Sequence, residues 1–382
     1  MGSLNRGALN RLRGVLQSHI DNRRIPGAVA VVALGGHVEL FEALGQCNPA
    51  AGTPMKSDAI FRIYSMTKPL VSLAALMLAE EGRLQLGDPV SRYLPEFAGQ
   101  QVAVEQGGKV RLEPLRREPA VHDLLRHTAG LTYEFLGSNA VQRQYEAVQI
   151  ADRSRSNAEF CKVLAALPLA HQPGSIWEYS RATDVLGALL EVVAGQPLGA
   201  LLAQRILDPL GMKDTAFAVR RESWDRIAEA FATDPDSGEP ITMLNARLVP
   251  RFESGGGGLL STAGDYVRFL QLMRNRGTLD GCRLASRATI DWMTSDHLVA
   301  IPVQGDLLPP GHGFGLGFAV RTQSGLAPQP GSPGQYFWSG IGGTSFFVDP
   351  REDLFALLLT QAPNQRIYYR NLFRQLVYAA LD

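Results

Sequence analysis

SMTKPLVSLAALMLAEEG, residues 65–82, is the stretch on which the reading of the whole chain turns. Leu70, Val71, Leu73, Leu76, Met77 and Leu78 leave almost no polar face, so the spacing predicts a helix enclosed between two layers, stopped at Gly82. The flanking sequence supplies one of those layers. Upstream, GAVAVVALGG (27–36) and HVELFEALG (37–45) are β-rich runs split by Gly35-Gly36, the signal of a two-residue hairpin turn. Downstream, FGLGFAV (314–320), GTSFFVDP (343–350) and DLFALLLTQ (353–361) are three further β-type runs. Joining them predicts an α+β fold: one antiparallel sheet of about five strands built from both chain ends. The amphipathic helix in residues 1–24 and the closing helix in 364–381 pack on it.

Between these ends the chain turns mainly helical. Asp88-Pro89 reads as an N-cap and first helical residue, and VHDLLRHTAG and ATDVLGALLEVVAG as later helices. The expected division is an α/β domain of residues 1–84 and 186–382, interrupted by a helical domain of 85–185, with the active site in the cleft between them. SGGGGLLSTAGDY (254–266) lacks the spacing and lysine of a phosphate loop, and reads as a tight loop with Thr262 capping the next helix.

Composition excludes several classes of function. Lys+Arg and Asp+Glu number 37 each, so no basic excess exists to grip nucleic acid or an anionic membrane. The first residues carry no continuous apolar run of the kind a signal peptide has, and the longest apolar stretch, Leu70–Ala79, is far short of the ~20 residues of a span. A cytoplasmic protein, monomeric or a small homo-oligomer, is expected. Cys47, Cys161 and Cys282 form no CxxC and the seven histidines no HExxH, so neither a disulfide framework, a metal nor a cofactor is called for.

The chemistry points to the first turn of the buried helix. Ser65 and Lys68, three apart, lie on one helical face, with Cβ atoms ~5–6 Å apart. A serine hydroxyl attacks only when a neighbour takes its proton, and a desolvated lysine is able to do so as the neutral amine. The plainer alternative makes Ser65 an N-cap and Lys68 a surface side chain. Tyr179, in the loop-like PGSIWEYSR, joins them if a cation such as Lys68 lowers its phenol; otherwise it is a packed aromatic. His122 and His127 read as structural hydrogen-bonding groups.

With these residues in place the chain resembles the serine β-lactamase and penicillin-recognising superfamily, and within it is most similar to the family VIII carboxylesterases. The likeness runs through FRIYSMTKPLVSLAALMLAEEGRLQLGDPVSRYLPEF, HDLLRHTAGL, PGSIWEYS, PLGMKDTAF, GGGGLLSTAGDYVRFL and FWSGIGGTSFFVDP. It implies that Ser65 is acylated, that Lys68 is its partner, and that Tyr179 is the general base of a Tyr-x-Asn element. The Lys-Thr-Gly element falls at Trp338-Ser339-Gly340, and the oxyanion hole on the backbone N–H groups of Ser65 and Ile341. Two departures matter. Arg181 stands for the Asn, where it meets an anionic substrate, joins a structural ion pair or is a solvated side chain, and Trp338 stands for the Lys that would attract a carboxylate. Trp338, Gly340, Tyr133 and Arg181 are the expected substrate-binding residues, although Tyr133 reads equally as a packed aromatic. The resemblance thus implies a serine carboxylesterase acting on short-chain, mostly uncharged esters. β-Lactam or D-amino-acid peptide cleavage, acyl transfer, or a non-catalytic binding module are the alternatives.

Overall fold

The computed structural model describes residues 2–382. Its centre is an eight-stranded antiparallel sheet built from both chain ends. The strands are β1 (Gly27–Leu34), β2 (His37–Asn48), β3 (Thr53–Pro54), β4 (His312–Phe314), β5 (Ala319–Arg321), β6 (Tyr336–Ser339), β7 (Ser345–Asp349) and β8 (Leu354–Thr360), in the order β4-β5-β6-β7-β8-β1-β2-β3. The chain ends meet where β1 pairs β8, from Ala28 opposite Thr360 to Leu34 opposite Leu354. The β1–β2 turn at Gly35 and Gly36 has φ of 60° and 85°, both in the left-handed region that a type I′ turn requires.

The expected count of about five strands is corrected to eight, and the reason is strand length. Residues 314–320 read as one strand, but the Gly315 N–H donates to Phe318 O at 2.8 Å, closing a turn that splits the run between β4 and β5. Strands of two or three residues, such as β3, β4 and β5, are too short to show a period of two.

β1 is buried along nearly its whole length, and its alternate residues serve two cores. Ala28, Ala30 and Val32 face helix α1 (Arg6–Asp21) and helix α5 (Arg366–Tyr378), as the amphipathic ends of the chain predicted. Val29, Val31 and Ala33 face helix α2 (Thr67–Glu80) within the larger core, which also takes in helix α3 (Ala182–Ala194) and helix α4 (Ala263–Arg274). From Thr67 to Leu78 every residue of α2 is buried.

The middle segment departs from a plain helical reading. It holds a hairpin, Gln101–Gln106 with Lys109–Pro114, and only short helices at Val121–Leu125, Ala140–Ala147 and Asn157–Ala165 before α3, which itself runs across residue 185. Pro89 is extended rather than helical, and the Asp88 carboxylate accepts the Gln85 N–H at 2.9 Å, so a 3-10 turn begins only at Val90. Thr262 does cap α4, accepting the Asp265 N–H at 3.1 Å. Among the described residues no single helix is long and apolar enough to cross a membrane.

Candidate active site

Ser65 sits in a 3-10 turn, Tyr64–Met66, that leads into α2 at Thr67, and no side chain caps this start. The turn is strained: Tyr64 has φ of 43°, a region that costs a bulky residue ~1–3 kcal/mol. Packing holds it there, because the Tyr64 hydroxyl accepts the Leu244 N–H at 3.0 Å. The strain leaves Ser65 half-buried at the floor of a cavity of about 720 Å³, in front of the positive end of α2.

Lys68 is not a surface residue: its side chain is 0% exposed. Its Nζ lies 3.3 Å from Ser65 Oγ, 3.0 Å from Tyr133 Oη and 2.6 Å from the carbonyl of Gly256. Among the described residues no carboxylate touches it. Burial therefore dominates and brings the ammonium down to about 7, against a weaker opposing pull from Asp184 and a small further lowering by Arg181.

The run of glycines that the sequence left as a tight loop is what delivers the Gly256 carbonyl. A Cβ at Gly255 would stand 2.5 Å from Thr183 O, and one at Gly256 2.8 Å from the Asp184 carboxylate. Only bare backbone fits against the start of α3. Asp184 then ties the loop down, accepting the Gly256 N–H at 2.9 Å and the Ser254 hydroxyl at 2.5 Å. Asp184 and Gly256 are site residues that side-chain motifs did not reveal; four consecutive glycines were the available signal.

Tyr179 projects from an irregular segment tied on both sides to residues 127–132: the Glu178 N–H donates to His127 O at 3.1 Å and the Arg181 N–H to Thr132 O at 3.2 Å. Burial pushes its phenol well up, although the Ser65 hydroxyl and the Trp338 indole both favour the phenolate. Lys68 Nζ lies 4.4 Å from the centre of the Tyr179 ring, so the cation faces the ring rather than the hydroxyl. Trp338 donates its indole N–H to Tyr179 Oη at 3.3 Å, with ring centres 5.2 Å apart. His127 bonds Ser180 Oγ at 3.1 Å and packs on Tyr179, and burial keeps it neutral. His122 bonds His297 at 2.9 Å.

The remaining expected residues divide. Tyr133, Trp338 and Ile341 line the cavity. Arg181 lines it too, but its guanidinium is bonded to Glu134 and lies 3.4 Å from Asp184 Oδ2, so its charge is already matched. Gly340 lies behind the wall, donating its N–H to Thr344 O and accepting from Arg370, both within 2.8 Å. A Cβ there would meet Ile63 O and Thr344 Oγ1 at 2.4 Å, so only glycine lets the end of β6 approach the residues before Ser65. Ile341, next in sequence, is 42% exposed at the cavity lip, and its N–H donates to no group among the described residues.

Comparison with known proteins identifies the family and the fold. The β-lactamase family profile matches residues 12–379. The chain is 36% identical to esterase EstB of Burkholderia gladioli over 378 residues, covering 92% of this chain and 89% of EstB. It is 30% identical to the lovastatin esterase of Penicillium rubens over 297 residues, covering 74% and 71% respectively. Among solved structures, EstCE1, described as a hydrolase with promiscuous acyltransferase activity, superposes with a TM-score of 0.82 at 30% identity, over 98% of this chain and 99% of that one. The chain belongs to the β-lactamase family, as a hydrolase of the serine β-lactamase superfamily on the branch of the family VIII carboxylesterases.

Proposed function

We propose that the protein is a serine carboxylesterase that hydrolyses uncharged esters through an acyl-enzyme on Ser65. The observation that carries the reading is the Lys68 amine, enclosed without a carboxylate partner 3.3 Å from Ser65 Oγ and brought to about 7, where a large share is neutral at physiological pH. Ser65 Oγ attacks the ester carbonyl while Lys68 Nζ takes its proton. The carbonyl oxygen becomes an oxyanion facing the backbone N–H groups of Ser65 and Ile341. As the C–O bond to the alcohol breaks, the departing oxygen takes the proton that Lys68 received, with the neutral Tyr179 hydroxyl donating a hydrogen bond to it. Water then repeats the sequence on the acyl-enzyme, returning the proton to Ser65. Trp338, in place of a carboxylate-binding lysine, favours a neutral substrate, as does the apolar lip of Phe135, Leu307 and Ile341. Short acyl groups fit this reading, and the cavity volume is in the range of small-molecule sites.

The test is turnover of a neutral nitrophenyl ester, with mass spectrometry of the trapped enzyme. The wild type is expected to carry one acyl group on Ser65, and Ser65→Ala to lose at least ~10³-fold of the rate with its fold retained. Undiminished turnover in Ser65→Ala, or an acyl group on another residue, overturns the assignment. A second reading, acyl transfer to an added alcohol, is favoured by the likeness to EstCE1, and is read in the same assay as ester product at the expense of free acid.

A further inference from the structure

Arg370, on α5, lines the cavity together with Trp338 and Ile341. Its Nη2 donates to the Gly340 carbonyl at 2.7 Å, and its Nε is out of contact with solvent and without a partner. No carboxylate pairs with it among the described residues, and burial holds the guanidinium down, at about 10. An arginine kept in this way at the edge of the site has a cost, and the sequence offers it no obvious structural repayment as a salt bridge.

The peptide it grips explains its place. The carbonyl of Gly340 and the N–H of Ile341 belong to one peptide unit, which is trans, so the C=O and N–H bonds lie in one plane and point in opposite directions, with their dipoles aligned. A charge-assisted hydrogen bond on the carbonyl therefore fixes where the N–H aims, and draws electron density toward the oxygen, making the N–H a better donor. Among the described residues the Ile341 N–H has no acceptor, and it stands at the lip of the cavity that holds Ser65.

We propose that Arg370 is a positioning residue for ester hydrolysis: its guanidinium, through the Gly340 carbonyl, orients and polarises the Ile341 N–H that receives the oxyanion. The inference rests on the reading of Ser65 and Ile341 given above. Arg370 also restores a cation to the neighbourhood from which Trp338 has removed one, by way of the backbone rather than by contact with substrate. Arg370 and Tyr179 are close enough to bias one another's ionisation, which supports the placement.

The experiment uses a neutral nitrophenyl ester, so that loss of a charge cannot act through substrate attraction. Arg370→Ala is expected to lower kcat about 10- to 100-fold, less than outright deletion of an oxyanion donor, with KM changed less than threefold. Arg370→Lys is expected to recover most of kcat, and methylguanidinium added to Arg370→Ala part of it. The infrared carbonyl stretch of the acyl-enzyme is the direct readout: low in the wild type, and shifted toward that of a free ester in Arg370→Ala. An unshifted stretch with unchanged kcat in Arg370→Ala overturns the inference while acylated wild-type Ser65 keeps the parent reading standing. A wild type that never acylates overturns both. If Arg370→Ala does not fold, an unshifted stretch and undiminished kcat in Arg370→Gln, which keeps a donor but no charge, overturns the inference equally.

Discussion

Two walls of the cavity, one lined by Ser65, Tyr133 and Gly256 and the other by Trp338, Ile341 and Arg370, are each backed by a cation bonded to a glycine carbonyl, and the pair differ in what the cation can do. On one wall Lys68 is bonded to Gly256 O at 2.6 Å; on the other Arg370 is bonded to Gly340 O at 2.7 Å. Both glycines are required by close approach, to Asp184 on one side and to Ile63 O and Thr344 Oγ1 on the other. Neither cation is in an ion pair among the described residues, so burial lowers both, the amine to about 7 and the guanidinium to about 10. An amine at about 7 exchanges a proton at neutral pH, whereas a guanidinium at about 10 stays charged. The same backbone device thus supports a proton acceptor on one wall and a fixed positive charge on the other.

The largest expected effect exchanges these roles. Lys68→Arg keeps a donor for Gly256 O but supplies no neutral amine, and kcat/KM on a neutral ester should fall by at least ~10²-fold. The wild-type profile of kcat/KM against pH carries the same information. Acylation needs unprotonated Lys68, so the rate should rise with pH through an inflection near 7 and level off above it, and Lys68→Arg should lack that inflection. A Lys68→Arg enzyme retaining a tenth or more of the rate would mean that Lys68 acts only as a charge, and the two walls would be alike.

Trp338 sharpens the comparison at smaller scale, because it is the residue that leaves the second wall without a cation in direct reach of substrate. Trp338→Lys should lower the ratio of kcat/KM for a neutral ester to that for a carboxylate-bearing cephalosporin. The expected change is about tenfold, the low end for a hydrogen bond to a charged group. Part of the loss on the ester follows from removing the indole N–H that donates to Tyr179 Oη at 3.3 Å, which is why the ratio is measured rather than either rate alone. A ratio that stays level or rises means that Trp338 does not choose between substrate classes.

What the sequence made legible follows the same division between side chain and backbone. Ser65, Lys68 and Tyr179 carry functional groups in recognisable wording, and the structure places Ser65 and Tyr179 on one cavity with Lys68 enclosed behind Ser65, 3.3 Å from its Oγ. Whether Lys68 was enclosed or exposed was not legible locally, because the carbonyl that accepts from it lies 188 residues away and the chain offered it no nearby carboxylate. Gly256 and Gly340 contribute through carbonyls, which every residue has, and Arg370 through a contact 30 residues distant, so no motif marked them. In the fold, β1 and β8 were legible as β-rich apolar runs. β3, β4 and β5 were not, being fixed by pairing with longer neighbours rather than by a pattern of their own.

The smallest expected effect is on stability, and it separates the two cations without any substrate. Lys68 has an ordinary value of 10.5 and a folded value of about 7. Below about 7 the folded and unfolded chains both hold the proton, and above 10.5 neither does. Between the two the unfolded chain holds a proton that the folded chain has released, so stability rises with pH across that window, by no more than about 1.4 kcal/mol per pH unit for one proton. Lys68→Met has no such group. Urea unfolding at a series of pH values from 6 to 9 should therefore show the wild type gaining on Lys68→Met as pH rises, while Arg370→Met, whose lost cation stays charged in both states over this range, should run parallel to the wild type. Parallel curves for Lys68→Met would mean that Lys68 keeps its proton in the resting protein throughout this range. The proton of Ser65 would then need another acceptor, and the contrast between the two walls would reduce to one of shape.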